Sequence, residues 1–365
     1  MGAARFDTVV IGGGQAGLAT GYYLQRAGHR FVILDAYDRV GEEWRRRWDS
    51  LRLFTQARYC ALPGVPFPGD RFRCPTKDEM ADYLESYAER LSLPVRTGAR
   101  VEHLASSGGG FTVTVNGDTI EADQVVIATG GHRDPRVPAF AHDLDPSIVQ
   151  LHSREYRNPS QLREGGVLIV GAGNSGADIA LDVVGAHPTW VSGPHPGHIP
   201  PDIDTWVARH IVYPIIRAVG VHVLTMRTPM GRRAIEKMRT KGMMLVRVKP
   251  KWMARAGVER VPRTVRAEGG LPLLEDGRVL DVTNVIWCTG FRQDLTWVDL
   301  PIFEENGELR HERGVATDAH GLYFVGLPYQ YSVASDNLVG VARDADWIVK
   351  RLSADARRAV SLAVA

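Results

Sequence analysis

The sequence predicts an α/β fold of two like halves, each a parallel sheet entered through a glycine-rich turn. Two observations carry that prediction. The apolar run Phe6 to Ile11 leads into Gly12-Gly-Gly14-Gln-Ala-Gly17, and Val167 to Val170 leads into Gly171-Ala-Gly173-Asn-Ser-Gly176, 159 residues later. Each turn is followed by an Ala-rich helical stretch. The resemblance then extends beyond the glycines. Asn116 to Gly130 parallels Asp276 to Gly290 at an offset of 160: a turn, an edge strand, a buried strand and a closing Thr-Gly.

Only glycine lets the backbone turn so sharply and come close to a pyrophosphate, while the helix that follows offers its N-terminal N–H groups to the anion. Gly12, Gly14, Gln15, Ala16 and Gly17 are therefore expected to cradle one dinucleotide, and Gly171, Gly173, Asn174, Ser175 and Gly176 a second. Ala128, Thr129 and Gly130, with Thr289 and Gly290, put small residues where the chain must pass beside a bound ligand. Asp35 closes the second strand, Phe31 to Leu34, where a Rossmann unit hydrogen-bonds an adenosine ribose.

Two cores fit the 365 residues better than one, and 44% hydrophobic and 24% charged residues are ordinary for a globular protein. A net charge of +2 gives no reason to invoke nucleic acid or an anionic membrane. Three cysteines, Cys60, Cys74 and Cys288, form neither a C-x-x-C pair nor a metal-ligand spacing. No metal is expected, and a reducing, cytoplasmic setting is. No apolar run reaches the roughly 20 residues of a membrane span. The closest candidate, Trp206 to Met226, is broken by Arg209, His210, Arg217 and His222.

Between the repeats, Thr76 with Glu79 reads as a capping box opening a helix to Leu91, and Val101 to Gly130 as a β-meander. About 194–261 reads as a basic helical insertion carrying six methionines, either ordinary core or an adaptable lid. Gly321 to Gly326 reads as a further strand and Leu338 to Leu352 as a closing helix.

The order of these features resembles the flavin-containing monooxygenases of class B, including the plant YUCCA-type enzymes and their bacterial relatives. The most specific signs are Ile127-Ala-Thr-Gly130, His152-Ser-Arg-Glu-Tyr156, the second glycine turn and Trp287-Cys-Thr-Gly-Phe291. The resemblance implies FAD at the first turn and NADPH at the second. It implies an FAD unit of residues 1–160 with 286–365, an NADPH unit of 161–285, and a helical insertion at about 196–261. It further implies O2 chemistry through a flavin C4a-hydroperoxide on a small organic substrate, with N- or S-oxygenation placed first. Oxidative decarboxylation, Baeyer–Villiger oxygenation of a carbonyl, and a flavin reductase without oxygen transfer stay open. A homodimer stays open too.

The family's signature is only half present: Pro146 and Ile148 stand where it has Phe and Gly, while the H-S-x-x-Y half remains. Trp44, with Arg45 beside it, is implied to contact FAD, and Gln56 to lie near the flavin's reactive edge. His152 is either a nicotinamide-side residue or a linker histidine satisfied by backbone. The strand Thr189 to Ser192 ends without an acid, so nothing there repels a 2′-phosphate. The arginine usually found beyond it is replaced by Gly193-Pro194-His195. Ser192 with His195, or an arginine from elsewhere in the chain, is left to read that phosphate.

Overall fold

The computed structural model describes residues 4–131, 134–200, 202–203, 205–305 and 307–364. The first sheet has a parallel heart in the order Val95–Arg96, Phe31–Leu34, Ala4–Ile11, Asp118–Ile127 and Leu322–Phe324. Its strands alternate between two buried layers, as a sheet covered on both faces must. Val10, Ile33 and Val126 face helices, among them Leu18 and Leu24 of Gln15–Ala27 and Ile348 and Leu352 of the last helix. Val9, Ile11, Val32, Leu34, Val125 and Ile127 face the meander residues Leu104, Phe111 and Val113.

That meander runs antiparallel through Val101–Ser107, Gly110–Val115 and the start of Asp118–Ile127. Asn116 and Gly117 both take positive φ at its tight turn, the geometry that matches strand twist. The Asn116 amide is tied down as well, donating to Gly98 O and accepting from Arg100 N. The helix Lys77–Arg90 opens with the full Thr76–Glu79 capping box. The last helix, expected to end at Leu352, continues to Val364 and is stitched to the sheet by Gln124 Nε2 donating to Leu352 O at 2.9 Å.

The second sheet is wholly parallel, in the order Glu259–Val261, Thr189–Ser192, Val167–Val170, Asn284–Trp287 and Val149–His152. Two expectations change here. Val149–His152 was expected in the first unit, yet it pairs with Asn284–Trp287 and edges the second sheet. Glu259–Val261 was expected to close the helical insertion, yet it extends the sheet at the other edge. A short strand shows its partner only in three dimensions. The second meander is also reduced. Where Asp118–Ile127 is one continuous strand of ten residues, 276–283 makes a single bridge, Val279 with Leu273, before Asn284.

Candidate active site

The two glycine turns are built alike, atom for atom. Gly12 N donates to Leu34 O at 2.7 Å, and Gly171 N to Ser192 O at 2.9 Å. Ala128 N donates to Ile11 O, and Cys288 N to Val170 O, each at 2.8 Å. A Cβ on Gly12 would lie 2.5 Å from Ala128 O, and one on Gly171 2.2 Å from Cys288 O. A Cβ on Gly17 would lie 1.8 Å from Gly12 O, and one on Gly176 1.9 Å from Gly171 O. Those four glycines are demanded by the fold. Gly14 and Gly173 are different: each sits in ordinary extended backbone as a helix N-cap, and a Cβ there meets nothing within 4 Å. The space beside each is open, and Gly14 itself lines a cavity.

One cavity of about 600 Å³ takes both turns into its wall: Gly12 to Ala16 from the first, Asn174 and Ser175 from the second. The walls of this cavity fit a dinucleotide. The helix N-termini behind Gly14 and Gly173 offer N–H donors and positive dipole to phosphate. Asp35 stands in the wall, bonded through Oδ1 to Tyr37 N, and a Cβ on Gly13 would lie 2.4 Å from its Oδ2. Gly13 and Asp35 therefore fit each other. In the second unit the matching pair is Ala172 and Gly193, so the acid's place is vacated. Trp48 Nε1, a buried donor in the cavity wall, has no partner among the described residues, as a group awaiting a ligand would.

Among the other expected residues, Ala128, Thr129 and Gly130 line the cavity, as does Trp44, whose Nε1 reaches Gln15 Oε1 at 3.4 Å. Arg45 does not. It is spent on Val40 O, Asp82 and Glu85. Its near neighbour Arg47 does line the cavity, 5.5 Å over the Phe291 ring and paired with Glu43 at 2.8 Å. Gln56 lies one residue behind the wall that Thr55 forms; its Oε1 accepts from Arg58, and its Nε2 is buried without a partner among the described residues. The Ser192 hydroxyl is taken by Pro262 O and Thr264. Thr289 Oγ1 donates to Arg136 O, placing it on the linker rather than in the cavity. The wall also holds Asp178 and Asp336, which no spacing rule singled out. Burial pushes both carboxyls up to about 6, in Asp178 against the pull of Arg247 at 2.6 Å.

His152 is buried and fully satisfied. Its Nδ1 accepts from Arg154 N at 3.2 Å, so Nε2 carries the proton and donates to Gly290 O at 3.0 Å. Phe291 packs edge-on against the ring at 4.9 Å. His152 thus holds the second Thr-Gly turn and does not line the cavity. Burial lowers its pKa, so the native state resists protonation while the unfolded chain does not. Stability tied to His152 is thus present above the ordinary value of 6.5 and lost as pH falls below it. We expect His152→Gln to flatten the fall of Tm between about pH 7 and 5 and to cost about 1–2 kcal/mol at neutral pH. An unchanged pH profile, read by calorimetry, would remove the residue from this role.

Cys60 donates its thiol to Thr55 O and Gln56 O, and burial pushes its pKa up, the reverse of what a redox cysteine needs.

Two dinucleotide cradles opening on one cavity define a flavoprotein oxidoreductase. The chain belongs to the pyridine nucleotide-disulphide oxidoreductase family, whose model matches residues 9–225, and within it to the class B flavin monooxygenases, which use FAD and NADPH. It is 37% identical over 352 residues to an oxidoreductase designated CzcO-like from Geobacillus kaustophilus, covering 94% of this chain and 97% of that one. It is 35% identical over 189 residues to the indole-3-pyruvate monooxygenase YUCCA1 of Oryza sativa subsp. japonica, covering 50% of this chain and 47% of that one. The solved flavin-containing monooxygenase from Stenotrophomonas maltophilia matches with a TM-score of 0.78 at 29% identity, covering 96% of this chain and 99% of that one.

Proposed function

We propose that the chain oxygenates a nitrogen or sulfur atom of a small organic substrate, consuming NADPH and O2. The observation that carries this reading is the single cavity into which both cradles open, since hydride must pass between two dinucleotides held face to face. FAD, when bound, accepts that hydride and activates O2; the protein's share is placement, dryness and charge. Gly14 and the helix behind it would hold the flavin dinucleotide's pyrophosphate, Asp35 its ribose, and Trp44 with Trp48 its isoalloxazine side. Gly173, Asn174 and Ser175 would hold the nicotinamide dinucleotide. The Asn174 amide is already fixed, donating to Met244 O and accepting from Val246 N, which ties the helical insertion to the second cradle. The H-S-x-x-Y signature ends in Tyr156, buried with its hydroxyl donating to Asp182 at 2.7 Å; the family's Baeyer–Villiger branch has Trp there.

The net reaction is substrate plus O2, NADPH and H⁺ giving oxygenated substrate, water and NADP⁺. Purified enzyme incubated with amines and thioethers under ¹⁸O2 is expected to yield product carrying one ¹⁸O per NADPH consumed. Hydrogen peroxide equal to the NADPH consumed, with no labelled product from either class and rapid quinone reduction, would transfer the assignment to a flavin reductase. Label entering only 2-oxo acids or ketones would move it to carbonyl oxygenation.

A further inference from the structure

We propose that the helical insertion docks the enzyme on an anionic lipid bilayer surface. The net charge of +2 conceals an uneven distribution: residues 205–244 hold eight of the 44 basic residues and only one, Glu236, of the 42 acidic ones. The same segment carries most of the large apolar side chains that the fold leaves in solvent. Trp206 is 66% exposed, Ile215 57% and Met230 61%, joined by Val207, Ile211 and Val223.

Five of the exposed residues share a face for a geometric reason. Val207, Ile211, Ile215, Val219 and Val223 recur every fourth residue along one helical run. In an α-helix a step of four overshoots a full turn by about 40°, so such a series would wind away from one side. Here π turns at Ala208–Val212 and Val219–Val223 flank the α turn Tyr213–Ala218. Their wider turns take back the drift and keep the stripe together. The opposite face is committed to the protein: Ala208 and Val221 are buried, Tyr213 OH donates to Phe54 O, and the Tyr213 and Tyr59 rings stack at 5.9 Å. Arg227, Arg232, Arg233 and Lys237, which follow the apolar stripe directly in the chain, are exposed.

An apolar stripe with a tryptophan at its end and a cationic flank is the pattern of a helix lying in the membrane interface. No helix among the described residues is long and apolar enough to span. A second copy fits the face poorly, because pairing would set one cationic flank against another. Phe54 and Thr55, on which the helix rests, line the cavity, so docking would bring the cavity's rim to the lipid.

Sedimentation of the FAD-loaded protein with vesicles tests this. Binding to phosphatidylcholine vesicles containing phosphatidylglycerol is expected to exceed binding to phosphatidylcholine alone by about tenfold or more. Ile211→Asp with Ile215→Asp, and separately Arg232→Glu with Arg233→Glu, are each expected to weaken anionic binding by about tenfold or more while flavin content and NADPH oxidation hold. Val265→Asp, at an exposed apolar site outside this segment, should bind as the parent does. Failure to sediment with anionic vesicles overturns the proposal, as does binding that survives the Ile211/Ile215 pair. Light scattering that shows a dimer broken by Ile215→Asp, without vesicle binding, gives the face to a second copy instead.

Discussion

Gly14→Val is expected to give a folded protein that purifies without flavin, and Gly173→Val a yellow protein that NADPH no longer reduces. The six cradle glycines divide by what a side chain would meet. At Gly12 and Gly171, φ is +111° and +117° and a Cβ strikes backbone; at Gly17 and Gly176 it strikes the neighbouring turn. Substitution at those four disturbs the fold itself, and lost activity there says nothing about ligands. At Gly14 and Gly173 the backbone is one that any residue adopts, and the Cβ finds open space. Valine there is a poorer N-cap than glycine, which costs roughly 1 kcal/mol or less. Yet it would fill the volume a pyrophosphate must enter, with a loss of affinity of about 100-fold or more, or ~3 kcal/mol. Circular dichroism, Tm, flavin absorbance and anaerobic NADPH reduction read the two effects apart. A Gly14→Val protein that keeps full flavin, or a Gly173→Val protein reduced at the parent's rate, would sink the assignment of these cradles.

The second large effect is expected at Arg260. In the first unit the residue closing the second strand is Asp35; in the second its counterpart is Gly193, and the Gly193 carbonyl accepts from Arg260 Nη2 at 2.9 Å. The guanidinium is partly buried, Nη1 has no partner among the described residues, and burial lowers its pKa. His195 stands close enough that, after its own burial, the charges of Arg260 and His198 push its pKa down. A cation thus occupies the neighbourhood where the first unit has a carboxylate, which is the exchange a 2′-phosphate calls for. Charge-assisted bonds of this kind contribute about 1.5–3 kcal/mol. Arg260→Gln should therefore weaken 2′,5′-ADP binding by about 10- to 100-fold and leave 5′-AMP binding within about twofold. Calorimetric titration with both ligands measures this directly. Equal losses for the two would show a general structural effect, and no loss for either would return the phosphate to His195.

The contrast between Arg45 and Arg47 shows where sequence reading stops. Both lie in one basic run beside Trp44, and composition does not distinguish them. Arg45 sits in the short helix Glu42–Arg45 and turns to Asp82 and Glu85; Arg47 lies beyond its end and turns into the cavity. Successive helical residues point about 100° apart, so the choice depends on the phase of one turn. Gln56 and Thr55 divide in the same way, one behind the wall and one in it. His152 kept two readings open until its ring nitrogens were seen bonded to Gly290 and Arg154.

The backbone patterns that a short window of sequence contains were legible in the chain. The two strand–turn–helix cradles, the acid at Asp35 and its absence from the second unit, the Thr76 capping box and the buried Thr-Gly strands are local patterns, and each residue type has one steric or hydrogen-bonding reason to be there. Tertiary structure alone decided that the two cradles open on one cavity, that Asp178 and Asp336 face it, and that Val149–His152 joins the second sheet. It also brought Arg260 to Gly193, 67 residues away in sequence, by pairing Glu259–Val261 with Thr189–Ser192. Such contacts are selected by strand register and side-chain direction summed over the whole fold, and no short window of sequence contains them.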